Sequence, residues 1–261
     1  AYKKAHPSTK IVVVCAWPEV YLNNKEIHRV YRLGNVPYFY QDYILGKDTK
    51  IFAQEPYKET AHITKKQSLA KTWCDMIEVP YNGEQPEMNF NMREKAYIDP
   101  EIAKIQKVKP ILLFQPFDQL KEHYQIIHIC YDFHTRLNDV IRYDKVVPKK
   151  GLFNLMRFSE RQLFVDSSLQ HAAAALGKSS TVVWVATQPE LFGYDMHTNI
   201  KAPVQLPKGT IDSYLYDYTF TGAVHECPYN DVNEMFDVNA IVQSLLQPAR
   251  EQVQTKKKKR K

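Results

Sequence analysis

The sequence predicts an α/β protein with two domains, because short apolar runs typical of strands alternate with longer segments of helical periodicity. The 261 residues are 44% hydrophobic and 25% charged, a globular composition with enough chain for two modest cores. No apolar run approaches the roughly 20 residues that span a bilayer, and no charged-then-apolar leader opens the chain. These features favour a cytoplasmic protein.

The cysteine and charge patterns indicate the compartment of the protein and its possible charged partners. The four cysteines have neither metal-site nor redox spacing, which fits a reducing compartment. The formal net charge of +6 matches the six basic residues of Lys256–Lys261, so the rest of the chain is formally neutral. We interpret 248–261 as a flexible basic tail. It could contact anionic lipid or nucleic acid weakly, but a solvated tail is the simpler interpretation.

Two apolar runs near the start predict strands. The segment Lys10–Ala16 is rich in β-branched residues and predicts a strand buried on both faces of a parallel sheet. A second strand is predicted over His28–Leu33, and a tyrosine-rich stretch follows it. Tyr38 in that stretch could stack on a sugar ring, although partly buried packing is the commoner role for such aromatics. Further on, His62–Met76 has the spacing of an amphipathic helix, with an apolar face formed by Leu69, Trp73 and Met76.

A second α/β unit begins near residue 109. Ile111–Phe114 and Gln125–Cys130 predict two strands, and we expect them to be parallel neighbours. Gln115 and Asp132 follow these strands, at the edge of the sheet where ligands bind in open α/β folds. A turn aspartate is the simpler interpretation of Asp132.

The connection between these two strands is short for a parallel crossover, which usually takes a dozen or more residues. We therefore predict that a loop is missing from the numbered sequence between Phe117 and Asp118. Their Cα atoms would then lie much farther apart than the ~3.8 Å of a peptide bond.

The most informative stretch is a strand, a polar turn and an alanine-rich helix. Leu163–Val165 predicts the strand, Asp166-Ser167-Ser168 forms the turn, and a run of four alanines follows His171. Backbone N–H groups and the positive end of the helix dipole meet at such a turn, which can therefore bind a phosphate. An ordinary helix cap is the alternative, since aspartate and serine are both preferred capping residues.

The Asp166–Gly177 block, with Thr187-Gln188-Pro189 after the next apolar strand, resembles the ADP-heptose:lipopolysaccharide heptosyltransferases of glycosyltransferase family 9. That family shows Asp-(Ser/Thr)-Gly-x-x-His-x-x-Ala-Ala here, followed by a Gly-x-Thr-x-Pro turn. Ser168 replaces the first of these glycines, and Val185 and Ala186 precede Thr187, so the second glycine is absent as well. A serine in place of glycine restricts positive φ and close backbone approach.

The resemblance implies two Rossmann-like domains that face each other across a cleft, the GT-B arrangement. We expect an acceptor-side domain over 1–108, with a linker near 81–108, and a nucleotide-sugar domain over 109–247. The expected donor-binding residues lie at the ends of four strands and are Asp166, Ser167, Ser168, Leu169, His171, Gln115, Asp132 and Thr187. The acceptor-side candidates are His62, Lys66 and Tyr38, although a solvated basic face is the simpler interpretation of the first two.

By this resemblance the protein transfers a sugar, heptose or similar, from a nucleotide-diphosphate donor to a glycan or lipopolysaccharide-type acceptor. No metal and no cofactor are expected, since no Asp-x-Asp signature follows a strand. The family's first strand, and the Gly-rich loop that carries its catalytic aspartate, are expected to be missing from this numbering, so no base is assigned. A nucleotide-sugar-binding protein without transferase activity and an epimerase-like enzyme remain alternatives. Peripheral contact with the inner membrane surface also stays open.

Overall fold

Six parallel strands form the larger of two sheets in the computed structural model. The structure describes residues 1–53, 56, 67–96, 111–113, 125–128, 141–142, 149–184, 188–202 and 236–247, with the backbone alone for 96, 111–113, 125–128, 141–142 and 149–151. The strands of the large sheet are β3 (Ile111–Leu113), β4 (Gln125–His128), β5 (Ile141–Arg142), β6 (Arg161–Val165), β7 (Thr181–Trp184) and β8 (Thr198–Lys201).

The strand order of this sheet is β5-β4-β3-β6-β7-β8, and every neighbouring pair is parallel. The chain builds one half of the sheet outwards from β3 and the other half outwards from β6. The direction of growth therefore reverses between these two strands, as in doubly wound nucleotide-binding sheets. The parallel pairing of β3 with β4 confirms the sequence prediction. Phe117 and Asp118 lie outside the described residues, so the expected gap stays a prediction.

The smaller sheet pairs β1 (Val12–Cys15) in parallel with β2 (Arg29–Arg32), at the two predicted positions. Among the described residues β2 is the only neighbour of β1, and Val14 is exposed. The expectation that this strand is buried on both faces is therefore wrong for the part of the chain that the structure describes.

Seven α-helices are described. They are α1 (Tyr2–Ala5), α2 (Leu69–Met76), α3 (Met92–Ala96), α4 (Lys149–Phe158), α5 (Ser168–Ala175), α6 (Pro189–Phe192) and α7 (Val238–Leu246). A 3₁₀ turn covers Pro18–Val20 and a π-helical turn covers Tyr40–Ile44. Asp237 precedes a segment with apolar i, i+4 spacing, a pattern that predicts a helix cap, and its carboxylate does accept hydrogen bonds from the amides of Asn239 and Ala240 at the start of α7. No described helix has both the length and the apolar character needed to span a bilayer.

Helix α2 corrects one detail of the sequence prediction. Its residues Thr72 and Cys74 are buried, whereas Trp73 between them is 42% exposed. Leu69 does face inwards, against a buried cluster that includes residues of α6. The apolar periodicity predicted the helix correctly but wrongly placed Trp73 on its buried face, because burial depends on which elements pack beside each side chain.

The sheet is covered on both faces, which explains the apolar runs of its central strands. Successive side chains of a strand point to opposite faces. Leu163 therefore joins a cluster with α7, while Phe164 joins one with α4 and α5 that contains Ala172 and Ala173. The alanine run thus packs closely on the core.

Candidate functional site

The candidate site lies at the carboxyl end of β6, beside the point where strand order reverses. Strand β6 ends at Val165 and α5 begins at Ser168, so Asp166 and Ser167 form the whole connection. The neighbouring strand β3 runs parallel to β6, so its carboxyl end lies at the same edge. A crevice at such a reversal is the usual ligand site of an open parallel sheet.

Ser167, not Asp166, caps helix α5. Its hydroxyl oxygen accepts from the Leu169 amide at 3.3 Å, and its carbonyl accepts from the Gln170 amide at 3.2 Å. The capping alternative is therefore correct for Ser167. A hydroxyl that accepts one hydrogen bond still has a proton to donate, so this role is compatible with anion binding.

Ser168 is the first helical residue and is exposed to solvent. It is not among the residues with positive φ, so a glycine is not needed here for backbone reasons. The neighbouring Leu169 packs its side chain on the core cluster around Phe164. Its contribution to a ligand site is therefore limited to its backbone.

The Gln170 side chain is fully buried beneath this turn. Its amide nitrogen donates to the Phe192 carbonyl at 3.0 Å and lies 3.4 Å from the Asp166 carboxylate. Its amide oxygen is buried without a hydrogen-bond partner in the described part of the chain. Such an orphaned acceptor costs about 1–3 kcal/mol. The amide keeps this orientation because its nitrogen lies beside two acceptors, the Phe192 carbonyl and the Asp166 carboxylate.

His171 lies one residue further along α5 and has a polar neighbour at each ring nitrogen. Nδ1 is 2.9 Å from the Tyr194 hydroxyl, and Nε2 is 3.3 Å from the Gln170 amide nitrogen. Burial lowers the pKa of His171 below its ordinary value, and the Asp166 carboxylate opposes this shift. The neutral imidazole is therefore favoured in the unliganded protein.

A second histidine ties α5 to the strand layer. His197 is 2% exposed, donates from Nε2 to the Gln170 carbonyl at 3.0 Å, and accepts from the Ser180 amide at Nδ1. Burial lowers its pKa as well, while the hydrogen bond to Gln170 opposes that shift and His171 adds to it. The Tyr194 ring packs edge-on against both imidazoles.

The structure thus brings Asp166, Ser167, Ser168 and His171 together at one turn. It adds Gln170, Tyr194 and His197, which sequence reasoning did not assign to the site. Tyr194 follows the Thr187-Gln188-Pro189 turn by five residues, and this proximity to the family pattern is the one sequence signal that could have indicated it.

The remaining sequence candidates are not tested by the structure. Tyr38 is 72% exposed and has a positive φ of 58°, an unusual backbone for an aromatic residue. The others lie outside the described residues, and they are Gln115, Asp132, Thr187, His62 and Lys66. In the described ranges, no group of three His, Cys, Asp or Glu side chains is placed to hold a metal ion.

Comparison with solved structures defines the fold class. No protein-family model matches the sequence, and no curated protein matches it. The structure is similar to the glycosyl transferase family 9 protein from Veillonella parvula DSM 2008. That likeness has a TM-score of 0.59 at 10% identity and covers 93% of this chain and 88% of that one. The chain therefore has the fold of a family 9 glycosyltransferase.

A second similar structure is the E. coli ADP-heptose LPS heptosyltransferase II. It matches at a TM-score of 0.48 and 13% identity, over 79% of this chain and 84% of that one. The first comparison confirms the resemblance to family 9 and the α/β fold with parallel sheets, while the two-domain cleft stays a prediction.

Proposed function

We propose that this protein is a metal-independent glycosyltransferase that moves a sugar from a nucleoside-diphosphate donor to a glycan or lipopolysaccharide-type acceptor. The observation that carries the proposal is the Asp166 turn, which places a helix N-terminus at the reversal of a parallel sheet in the fold of a glycosyltransferase. The donor diphosphate would lie against this turn, with Asp132 and Gln115 at neighbouring strand ends.

The chemistry of sugar transfer explains why such a turn is needed. Breaking the glycosidic bond leaves negative charge on the departing diphosphate, and that charge must be stabilised. A helix N-terminus supplies oriented N–H groups and a positive dipole end for this purpose. Together with the serine hydroxyls of Ser167 and Ser168, it would replace the divalent cation that other enzymes use.

The domain assignment follows the same logic and remains part of the proposal. Residues 109–247 would form the donor-binding domain, and residues 1–108 would form the acceptor side of a GT-B cleft. The exposed ring of Tyr38 supports a sugar-facing role on that side, with His62 and Lys66 as partners for acceptor phosphates or carboxylates.

The first test is calorimetric titration with a panel of nucleoside diphosphates, followed by two alanine variants. His171→Ala and Ser167→Ala should each weaken the best ligand by about 1–3 kcal/mol, because each removes a polar group from the anion site. Ser179→Ala is the matched control. It removes a serine hydroxyl near the opposite end of α5, where that hydroxyl donates to the Met196 carbonyl. Unchanged affinity in both site variants would rule out the assignment.

A product assay then separates transferase from the alternatives. Incubation with the matching nucleotide sugar and a glycan acceptor should release nucleoside diphosphate together with a glycosylated product. Release of an isomerised nucleotide sugar instead would indicate an epimerase, and tight binding without turnover would indicate a binding protein.

The basic tail should be dispensable for this chemistry. Deleting Lys256–Lys261, which lie outside the described residues, should leave turnover on a small neutral acceptor unchanged. The same deletion should reduce salt-sensitive binding to anionic vesicles or DNA, because such binding depends on lysine and arginine charge. A large loss of turnover on the neutral acceptor would show instead that the tail belongs to the site.

A further inference from the structure

The Gln170 amide can face only one way. Its nitrogen lies 3.0 Å from the Phe192 carbonyl, and a carbonyl oxygen can only accept a hydrogen bond. The Asp166 carboxylate, 3.4 Å from the same nitrogen, is also an acceptor. Turning the amide over would set its oxygen against both, so the NH2 group, with two hydrogens shared among three neighbours, also faces Nε2 of His171, and an amide nitrogen donates hydrogen bonds but does not accept them.

That orientation determines the tautomer of His171. A nitrogen that faces an N–H donor must offer a lone pair, so Nε2 is the unprotonated nitrogen of the ring. The proton of the neutral imidazole is then on Nδ1, which donates to the Tyr194 hydroxyl at 2.9 Å. In this state both ring nitrogens have a suitable partner.

The orphaned oxygen of Gln170 indicates that this arrangement is imposed at a cost. A buried polar group without a partner calls for an explanation, since an apolar side chain of similar size would avoid the loss. The amide oxygen of Gln170 thus lacks a partner in the described part of the chain, while the amide nitrogen lies 3.3 Å from Nε2 of His171. Protonation of Nε2 would place two N–H groups against each other, so Gln170 opposes it directly.

We propose that Gln170 and Tyr194 are positioning residues that hold His171 as the neutral Nδ1–H tautomer near pH 7, and that Nε2 takes up a proton from the solvent at this pH when a diphosphate occupies the Asp166 turn. The second half of this inference rests on the proposed function. Negative charge brought to within one helical turn of an imidazole favours its protonated form. His171 would then oppose the ligand with positive charge only after the ligand has arrived.

The charged and titratable groups that face His171 fit this sequence of events. Asp166, from the turn before α5, favours the protonated ring, whereas His197, from the segment before β8, disfavours it. Tyr194 contributes a hydroxyl rather than a charge. In the unliganded protein, burial lowers the pKa of His171 more than the Asp166 carboxylate raises it. The negative charge of an added diphosphate would raise this pKa further, in the same direction as Asp166.

The tautomer can be read without any ligand from the ¹⁵N shifts of the histidine rings, with His171 assigned through a His171→Gln variant. At pH 7 the wild type should show protonated Nδ1 and unprotonated Nε2. Gln170→Met should convert His171 to a mixture of tautomers and move its titration midpoint to higher pH, and Tyr194→Phe should add the Nε2–H tautomer to a smaller extent, because Gln170 still opposes it. Gln162→Met is the matched control, since Gln162 is a buried glutamine bonded instead to Met156, Ser159 and Ser180. Protonated Nε2 in the wild type, or a His171 that responds to neither variant, would overturn the positioning role.

Proton uptake is tested by titrating the best-binding nucleoside diphosphate in buffers of different ionisation enthalpy. Binding near pH 7 should take up a fraction of one proton in the wild type and none in His171→Gln. Affinity should rise by at most about tenfold for each pH unit of acidification while His171 titrates. Binding without proton uptake would overturn the linked half of the inference. The expected tautomer without any nucleotide binding would support the positioning role and overturn the proposed function, so the two are distinguishable.

Discussion

Replacing Ser168 with aspartate should weaken nucleoside-diphosphate binding by at least about a hundredfold, while the fold stays as stable as before or becomes slightly more stable. The two effects differ in sign because they involve different partners. A carboxylate in the first turn of α5 interacts favourably with the helix dipole, by about 0.3–1 kcal/mol. The same carboxylate repels a bound diphosphate by up to about 4 kcal/mol for each pair of unit charges near 4 Å at a protein surface.

The position suits the experiment, because Ser168 is exposed and its side chain supports no core packing. Affinity would be measured by calorimetry and stability by urea unfolding. Asn239→Asp is the matched control, since Asn239 is an exposed residue in the first turn of α7, on a different helix. Its charge should leave nucleotide affinity unchanged. If Ser168→Asp binds nucleoside diphosphates as well as the wild type, the ligand does not lie at this turn.

Replacing Trp184 with alanine should lower the free energy of unfolding by about 3–5 kcal/mol, the usual loss for a large buried aromatic side chain. Trp184 is 1% exposed on β7, packs in the cluster with Leu191 and Phe192 of α6, and donates from Nε1 to the Asn199 side chain at 2.9 Å. The substitution would leave a cavity and also an acceptor without its donor.

Two variants separate these contributions in urea unfolding experiments. Trp184→Phe keeps most of the ring and should lose roughly 1–3 kcal/mol, chiefly through the unpaired Asn199 oxygen. Trp73→Ala is the matched control, because Trp73 is the partly exposed tryptophan of α2 and should cost much less. Equal losses for Trp184→Ala and Trp73→Ala would contradict the core described here.

The sequence predicted those features whose physical cause is local. Strand β1 follows from a β-branched run, the cap of α7 from an aspartate before an apolar period, and the Asp166 turn from polar residues between a strand and an alanine-rich helix. The resemblance of that block to family 9 also predicted the fold. These signals all lie within a few residues of the structure they specify.

Features that depend on distant partners could not be predicted in the same way. The reversal between β3 and β6 depends on strand pairing across about 50 residues of chain, which local pattern does not encode. The bond between His171 and Tyr194 joins residues 23 apart, and His197 gave no local sign that it would contact α5. Trp73 shows the same limit. The helical spacing placed it on the apolar face with Leu69 and Met76, but no described element packs over its side chain enough to bury it.

The late position of α7 in the chain has a consequence for biosynthesis. This helix covers Leu163 and Val183 on one face of the sheet, and Arg161 and Thr181 bond to its last turn. At typical translation rates the ribosome needs roughly 3–11 s to move from Trp184 to Val238. During that interval the apolar face of β6 and β7 lacks its cover, and it is then a natural binding site for a chaperone on the nascent chain.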